Sequence, residues 1–140
     1  MTDDQGQAVE PIRILLIEDE PRIRAFIARG LGAEGFTVDE RDDGQLGLRR
    51  ALETEYDLVV LDLNLPSLDG LSVLRVLSRQ RPQLPVLILS GRSELRTRLA
   101  AFSLGACDYL EKPFAFDDLL ARVRRHARRG AEATLQTSVP

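Results

Sequence analysis

The residues best suited to chemistry each follow a short apolar run. Glu18 and Asp19 follow Ile-Leu-Leu-Ile, and Asp62 follows Leu-Val-Val-Leu. Ser90 follows Val-Leu-Ile-Leu, and Lys112 stands just after a fifth run. Lys112 is also the one lysine among 19 basic residues. Carboxylate, hydroxyl and ammonium groups together could hold a hard cation and a phosphate side by side.

Three carboxylates at one edge of a sheet need a counter-charge. At about 4 Å and an effective dielectric near 20, two such charges repel by on the order of 4 kcal/mol. The cluster must keep protons or bind a cation, and Mg²⁺ (or Mn²⁺) prefers such oxygen ligands and bridges them to phosphate. With the cation bound, Asp62 could attack phosphorus as a nucleophile. Ser90 could then donate a hydrogen bond to the phosphate, and Lys112 could pair with it.

A scaffold that meets this need is a parallel sheet, in which strand ends share one edge and ligands bind beyond the carboxyl ends. Five short apolar runs alternate with five amphipathic stretches, which is typical of a sheet covered by helices on both faces. The pattern predicts strands at 12–17, 36–40, 58–61, 86–89 and 107–110. It predicts helices at 22–34, 44–54, 70–79, 94–104 and 115–128. The second strand alternates polar and apolar residues, which favours an edge position.

Composition excludes several classes of protein. The 140 residues suit one domain, and 44% hydrophobic with 29% charged residues is ordinary for a folded chain. No apolar run reaches the roughly 18 residues of a membrane span, and the polar N-terminus is unlike a secretory signal. The single cysteine, Cys107, cannot form an internal disulfide. These features favour the cytoplasm and predict no membrane contact.

Five segments in order along the chain carry a resemblance to a known family. They are Leu-Leu-Ile-Glu18-Asp19-Glu20, Val-Val-Leu-Asp62-Leu-Asn64-Leu-Pro66, Asp69-Gly70, Leu-Ser90-Gly91 and Tyr109-Leu-Glu-Lys112-Pro113-Phe114. From about residue 12 to 129 the chain resembles the receiver domains of bacterial two-component response regulators. The resemblance implies a flavodoxin-like (βα)5 α/β fold with a five-stranded parallel sheet of order 2-1-3-4-5. It also implies a signalling switch, not an enzyme acting on external metabolites.

The resemblance assigns the metal ligands and the phosphoacceptor. Asp62 would take the phosphoryl group from a sensor histidine kinase. Asp19, Asp62 and the backbone carbonyl of Asn64 would bind Mg²⁺, and Glu18 would act mainly through a water. Glu18 stands where aspartate is commoner in the family, and this departure should change rates without abolishing function.

It also assigns the residues that respond to the phosphate. Ser90 would be the switch hydroxyl, where threonine is more frequent in the family, and Ser90 and Gly91 would bind the phosphate. Lys112 would be the phosphate-binding cation, followed by a cis peptide bond to Pro113. Tyr109 would be the aromatic side chain that rotates.

Further similarity points to the winged-helix (OmpR/PhoB-type) branch of the family. It lies in Leu104-Gly105-Ala106-Cys107-Asp108-Tyr109-Leu110 and Asp118-Leu-Leu-Ala-Arg122. Receivers of that branch form homodimers through the fourth helix, fifth strand and fifth helix. The matching pairs here are Arg98 with Asp118 and Asp108 with Arg122, each bridging two subunits. The alternative is that these are solvated charges, since exposed ion pairs contribute only about 0–1 kcal/mol.

Cys107 departs from this branch, which usually has a second aspartate there. That change would leave Arg129 without its customary partner. We expect Cys107 to be a small strand residue and not a redox sensor. The arginines near the end of the fifth helix complement the helix dipole, and in this branch they would serve dimerisation and not DNA contact.

The domain organisation follows from the same similarity. We expect an N-terminal tail at 1–10, the receiver at 11–129, and at 130–140 the start of a linker to an absent DNA-binding domain. DNA would be bound only through that missing domain. A stand-alone receiver that regulates a protein partner directly is the alternative.

Other phosphate-handling proteins fit less well. A flavodoxin needs a Ser/Thr/Gly-rich phosphate loop after the first strand, where this chain has acids. A dehalogenase-type phosphatase needs an aspartate two residues after its nucleophile, where this chain has Asn64. The single histidine, His126, is remote from the acids in sequence. A scaffold receiver that is not phosphorylated would lack the acids or Lys112, and this chain has them all.

Overall fold

Five strands and five helices alternate along the chain. The structure, a computed structural model, describes residues 10–127. The strands are β1 Arg13–Ile17, β2 Thr37–Arg41, β3 Leu58–Asp62, β4 Val86–Ser90 and β5 Asp108–Glu111. The helices are α1 Pro21–Ala33, α2 Gly44–Glu53, α3 Gly70–Gln80, α4 Leu95–Ser103 and α5 Phe116–His126. Most of the expected N-terminal tail, the expected linker at 130–140 and Arg129 lie outside the described residues.

The strands form one parallel sheet in the order β2-β1-β3-β4-β5, which confirms the predicted topology. Ile17 at the end of β1 lies opposite Leu61 in β3, so Glu18 and Asp62 leave the sheet at the same level. β4 is shifted so that Asp62 lies opposite Leu89. The register thus collects the carboxyl ends of β1, β3 and β4 at one place.

Apolar side chains alternate between the two faces of the sheet, as strand geometry requires. On one face Leu15, Val59 and Ile88 belong to a buried cluster with residues of α2, α3 and α4. On the other face Leu16 and Val60 pack with residues of α1 and α5. Both faces are covered, which explains why the central strands are apolar at every position except an end residue of each, Arg13, Asp62 and Ser90.

Element boundaries differ from the predicted ones by up to two residues. β3 and β4 each continue one residue further, to Asp62 and Ser90, because both still pair in the ladder. β2 is an edge strand with partly exposed side chains, as predicted. Gly105, at φ 107°, follows α4 in a left-handed conformation that favours glycine. None of the described helices combines the length and apolarity that crossing a bilayer requires.

Candidate functional site

Three carboxylates meet at the carboxyl edge of the sheet. Glu18, Asp19 and Asp62 each offer an oxygen within 4.8 Å of the other two. Glu18 is fully buried and Asp62 is 2% exposed, whereas Asp19 faces solvent. The predicted acidic cluster is therefore present, with one side open to solvent.

Lys112 reaches into this cluster from the loop after β5. Its Nζ lies 2.6 Å from a Glu18 carboxylate oxygen and 3.4 Å from one of Asp62. The Lys112 backbone N–H donates to the Ser90 carbonyl at 2.8 Å, and the Lys112–Pro113 peptide bond is cis. The backbone thus holds the ammonium group between the ends of β1 and β3.

The cluster shifts the ionisation of both partners. Burial raises the pKa of the Glu18 carboxyl, and Asp62 raises it further, against the opposing effect of Lys112. Burial alone would lower the pKa of Lys112, but the hydrogen bond to Glu18 and the charge of Asp62 raise it overall. Lys112 therefore stays charged, while Glu18 holds a proton to a higher pH than an ordinary glutamate.

The third acid of the Glu-Asp-Glu run has a structural task. Glu20 is the N-cap of α1, and its carboxylate accepts hydrogen bonds from the backbone N–H groups of Arg22 and Ile23. Pro21 begins the helix, where its missing N–H costs nothing. This cap turns the chain sharply after β1 and leaves Asp19 exposed at the mouth of the site.

The loop after β3 is fixed by its own caps and contacts. Asp69 caps α3 through the Ser72 backbone N–H. A Cβ on Gly70 would lie 2.5 Å from the Leu63 Cα and 2.6 Å from the Asp62 carbonyl oxygen. Only glycine fits there, so the Asp69-Gly70 pair lets α3 start directly behind the phosphoacceptor candidate.

Asn64 and Ser90 flank Asp62 and are linked through Arg92. The Asn64 backbone N–H donates to Asp62 at 3.3 Å. Ser90 is fully buried, and its Oγ accepts from the Arg92 backbone N–H at 2.9 Å, which leaves the hydroxyl proton free to donate. The Arg92 guanidinium donates to the Asn64 side-chain oxygen at 2.7 Å. Gly91, between Ser90 and Arg92 in the chain, is exposed.

The donor set suits a small hard cation. Carboxylate oxygens of Asp19 and Asp62 are the ligands that Mg²⁺ prefers, and the open side leaves room for its waters. Glu18 already contacts Lys112, so it fits an indirect role better than direct ligation. A divalent ion bound to Asp19 and Asp62 would also offset the repulsion between Asp62 and Glu18, which adds to burial in raising the pKa of Glu18.

Comparison with known proteins agrees with this geometry. The family model described as "Response regulator receiver domain" matches residues 14–124. The chain belongs to this family. The receiver domain is 47% identical over 122 residues to the transcriptional regulatory protein TcrA of Mycobacterium tuberculosis, covering 87% of this chain and 48% of TcrA.

A second curated relative and a solved structure extend the comparison. The transcriptional regulatory protein CusR of Escherichia coli is 39% identical over 126 residues, which cover 90% of this chain and 56% of CusR. The chain thus spans about half the length of the curated relatives it matches. The receiver domain of the Pseudomonas aeruginosa sensor histidine kinase PA1611, with a magnesium ion coordinated in its active site cleft, superposes with a TM-score of 0.77. It is 31% identical and covers 84% of this chain and 98% of its own.

In this receiver domain Tyr109 lies inside the molecule. The side chain is 5% exposed, and its hydroxyl donates to the Arg92 carbonyl at 2.7 Å. The Arg98 guanidinium lies 5.2 Å from the centre of the Tyr109 ring. Tyr109 therefore connects the loop after β4, which contains Arg92, to Arg98 of α4.

The α4–β5–α5 face, which comprises Leu95–Ser103, Asp108–Glu111 and Phe116–His126, carries the residues expected at a dimer interface. Within one chain Arg122 contacts Asp108 at 2.6 Å and Asp118 at 2.8 Å. Arg98 contacts Glu111 at 3.4 Å. The four predicted interface residues thus share one face and already have partners there, and the pairing between subunits stays a prediction.

Three contacts were not predicted from the sequence. Arg24 donates to the carbonyl oxygens of Glu18 and Asp19 at 2.9 and 3.3 Å, holding the loop after β1. Arg92 bridges to Asn64, and His126 lies 3.0 Å from Asp108. Arg24 lies one turn into the amphipathic helix α1, and this spacing from the end of β1 could have predicted a contact with the loop that carries Glu18 and Asp19. Arg92 stands in a loop without periodicity, so nothing in the sequence marked it.

Proposed function

We propose that this receiver domain accepts a phosphoryl group on Asp62 from a sensor histidine kinase in the cytoplasm, with Mg²⁺ bound, and that the phosphate changes the α4–β5–α5 face. The observation that carries the proposal is the placement of Asp62. Its carboxylate is almost buried, lies among two other acids, and has Lys112 Nζ 3.4 Å away. Three carboxylates this close repel one another and would repel a phosphate as well. The site therefore favours a phosphate that binds together with a cation.

Asp19, Asp62 and the Asn64 carbonyl would hold the ion, with Glu18 acting through a water. When bound, Mg²⁺ neutralises charge on the phosphoryl oxygens during transfer. The magnesium site of the kinase-borne receiver from Pseudomonas aeruginosa supports this assignment by analogy.

The chemical step is a displacement at phosphorus. An Asp62 carboxylate oxygen forms a bond to the phosphorus of the donor's phosphohistidine, and the phosphorus–nitrogen bond breaks with its electron pair going to the imidazole. Lys112 pairs with a phosphoryl oxygen as a compact charge. The Ser90 hydroxyl donates a hydrogen bond to a second phosphoryl oxygen, because its Oγ already accepts one from the Arg92 backbone N–H.

An aromatic groove beside the site suits the donor protein. Phe26 on α1 is 51% exposed and packs edge-on against Phe116, with centroids 5.8 Å apart. Ile23, Phe26 and Phe114 line a groove that also contains Lys112. A donor resting on this groove would place its phosphohistidine next to Lys112, the cation that would pair with the phosphoryl group as Asp62 accepts it.

The relatives support an output in the control of transcription. TcrA and CusR are named transcriptional regulatory proteins, and this chain corresponds to about half of each. The receiver at 11–129 would then control transcription through a winged-helix domain reached by the linker at 130–140. Phosphorylation would favour a homodimer joined by Arg98–Asp118 and Asp108–Arg122 pairs.

Magnesium dependence tests the site. Intact mass spectrometry after incubation with acetyl phosphate should find one phosphoryl group per chain with Mg²⁺ and almost none with excess EDTA. Asp19→Asn should need a far higher Mg²⁺ concentration for the same yield. Glu53→Gln is the matched control and should behave as wild type, because Glu53 is an exposed acid at the C-terminal end of α2 and not a member of the acidic cluster. Equal yields with Mg²⁺ and with EDTA would refute the metal assignment.

A further inference from the structure

Helix α4 is held to the domain by few side chains. Ala101 is its single buried residue, and Leu95, Leu99 and Phe102 are 67%, 55% and 43% exposed. Its N-cap, Glu94, makes no side-chain capping hydrogen bond. Elements with few buried apolar contacts are the ones that move most easily. Polar contacts between α4 and the rest of the domain therefore largely determine the position of this helix.

Arg98 is such a tether, and it meets the domain at Tyr109. The guanidinium lies 5.2 Å from the centre of the Tyr109 ring, a distance at which a cation is attracted to an aromatic face. One of its terminal nitrogens lies 3.4 Å from Glu111, which follows Tyr109 by two residues in β5. Arg98 therefore joins α4 to β5 through two different contacts.

The Arg98 side chain is also incompletely satisfied. Its Nε is buried and has no hydrogen-bond partner among the described residues. A buried donor without a partner carries a desolvation penalty. The Tyr109 ring and Glu111 hold Arg98 in its present position, where the Nε donor has no partner among the described residues. This penalty favours a second position of the side chain in which Nε could donate a hydrogen bond.

The hydroxyl end of Tyr109 is tied to Arg92, in the loop that follows β4 and Ser90. Its hydroxyl donates to the Arg92 carbonyl, and the Arg92 backbone N–H donates to Ser90. A chain of direct contacts therefore runs from Ser90 through Arg92 and Tyr109 to Arg98. Each link is a hydrogen bond or a ring contact between neighbours, so a shift of Ser90 changes the surface on which Arg98 rests.

We propose that Arg98 is a positioning residue that holds the Tyr109 ring inward and passes its movement to α4, in addition to any role at a subunit interface. The coupling rests on the function proposed above, whereas the holding of Tyr109 does not. The planar guanidinium is suited to this task because it can cover a ring face and reach a carboxylate together.

Fluorine NMR of protein labelled with 3-fluorotyrosine tests the holding. The chain has two tyrosines, and Tyr56 serves as an internal reference because it contacts Asp39 and Arg50 elsewhere in the fold. Arg98→Gln should move the Tyr109 resonance and leave that of Tyr56 in place. Arg98→Lys should give an intermediate position, since it keeps the charge and loses the planar group. Arg96→Gln, an exposed arginine on the same helix, is the matched control and should change neither resonance.

The coupling is tested in the same samples with beryllofluoride and Mg²⁺. The change of the Tyr109 resonance on activation should fall to less than half of the wild-type change in Arg98→Gln. A Tyr109 resonance that matches wild type in both states would overturn the proposal. Intact mass after acetyl phosphate treatment reports separately on Asp62, so a wild-type chain that takes no phosphate refutes the function while the unactivated spectra still decide the role of Arg98.

Discussion

At the scale of single residues, one ammonium group, that of Lys112, compensates the charge of two buried carboxylates. Lys112 lies 2.6 Å from Glu18 and 3.4 Å from Asp62. Removing one partner of a buried ion pair leaves an uncompensated charge, which costs more than the pair itself contributes. The metal-free domain therefore depends on Lys112 for stability.

Lys112→Gln should destabilise the metal-free domain by about 2–3 kcal/mol at neutral pH. Because the folded pKa of Glu18 is raised, the stability tied to its proton is present below its ordinary value of 4.5 and is lost as pH rises through the folded pKa. The gap between variant and wild type should thus shrink in acid. Urea unfolding in EDTA at several pH values measures it, and a loss of equal size at acid and neutral pH would contradict the account.

Cys107 should be a poor nucleophile. Burial, with help from the charge of Asp108, raises the pKa of its thiol to about 12, against 9.0 for a free thiol. The thiolate fraction near pH 8 is then about a thousandfold lower than for a free cysteine, and the thiolate is the reactive form. Iodoacetamide should therefore label the folded domain far more slowly than the urea-unfolded chain. Similar labelling rates in the two states would revive a redox role.

At the scale of elements, the alternation of strands and helices was predictable because strands buried on both faces appear as short, uninterrupted apolar runs between amphipathic stretches. Asp62 and Ser90 could be placed at one edge because each follows an apolar run and the carboxyl ends of parallel strands lie at the same edge of a sheet. The roles of Glu20 and Arg92 could not, because an N-cap and a loop-to-loop hydrogen bond depend on how the chain turns after each strand. The predicted strands also stopped one residue short at Asp62 and Ser90, since polar residues seldom mark a continuing ladder.

Two glycines in helices offer a matched comparison. Gly70→Ala should cost about 1–3 kcal/mol, because a Cβ would press on the Leu63 backbone and the Asp62 carbonyl. Gly32→Ala has open space around the new methyl group and lies within α1, so it should stabilise the domain by up to about 1 kcal/mol. Thermal unfolding of both variants checks the signs. Equal effects would mean that α3 does not rest on the backbone behind Asp62.

At the scale of the whole molecule, the α4–β5–α5 face combines exposed apolar side chains with charges. Leu95, Leu99 and Phe102 are exposed on α4. Arg122 binds Asp108 and Asp118 within the chain, so forming pairs between subunits requires these contacts to be exchanged. Exposed pairs contribute only about 0–1 kcal/mol each, so the charges would select the partner and the apolar residues would supply most of the binding energy.

A charge swap tests the predicted pair of Arg98 and Asp118. With beryllofluoride and Mg²⁺, wild type should move toward dimer in size-exclusion chromatography with light scattering. Arg98→Asp and Asp118→Arg should each weaken the dimer by about tenfold or more, and the double variant should recover most of the loss because the pair is reciprocal. Arg49→Glu, an exposed arginine on α2, should have no effect. The recovery tests the pair alone, because Asp at position 98 cannot restore the contact of Arg98 with the Tyr109 ring. A double variant no better than the singles would remove this pair from the interface.

The identity of the phosphoacceptor is the claim on which the rest depends. Wild-type domain and Asp62→Ala should be incubated with acetyl phosphate and Mg²⁺ and compared by intact mass spectrometry, with Asp69→Ala as the control because Asp69 caps α3 nearby. We expect one phosphoryl group on wild type and on Asp69→Ala, and none on Asp62→Ala. An undiminished adduct on Asp62→Ala, or no adduct on wild type, would contradict the assignment.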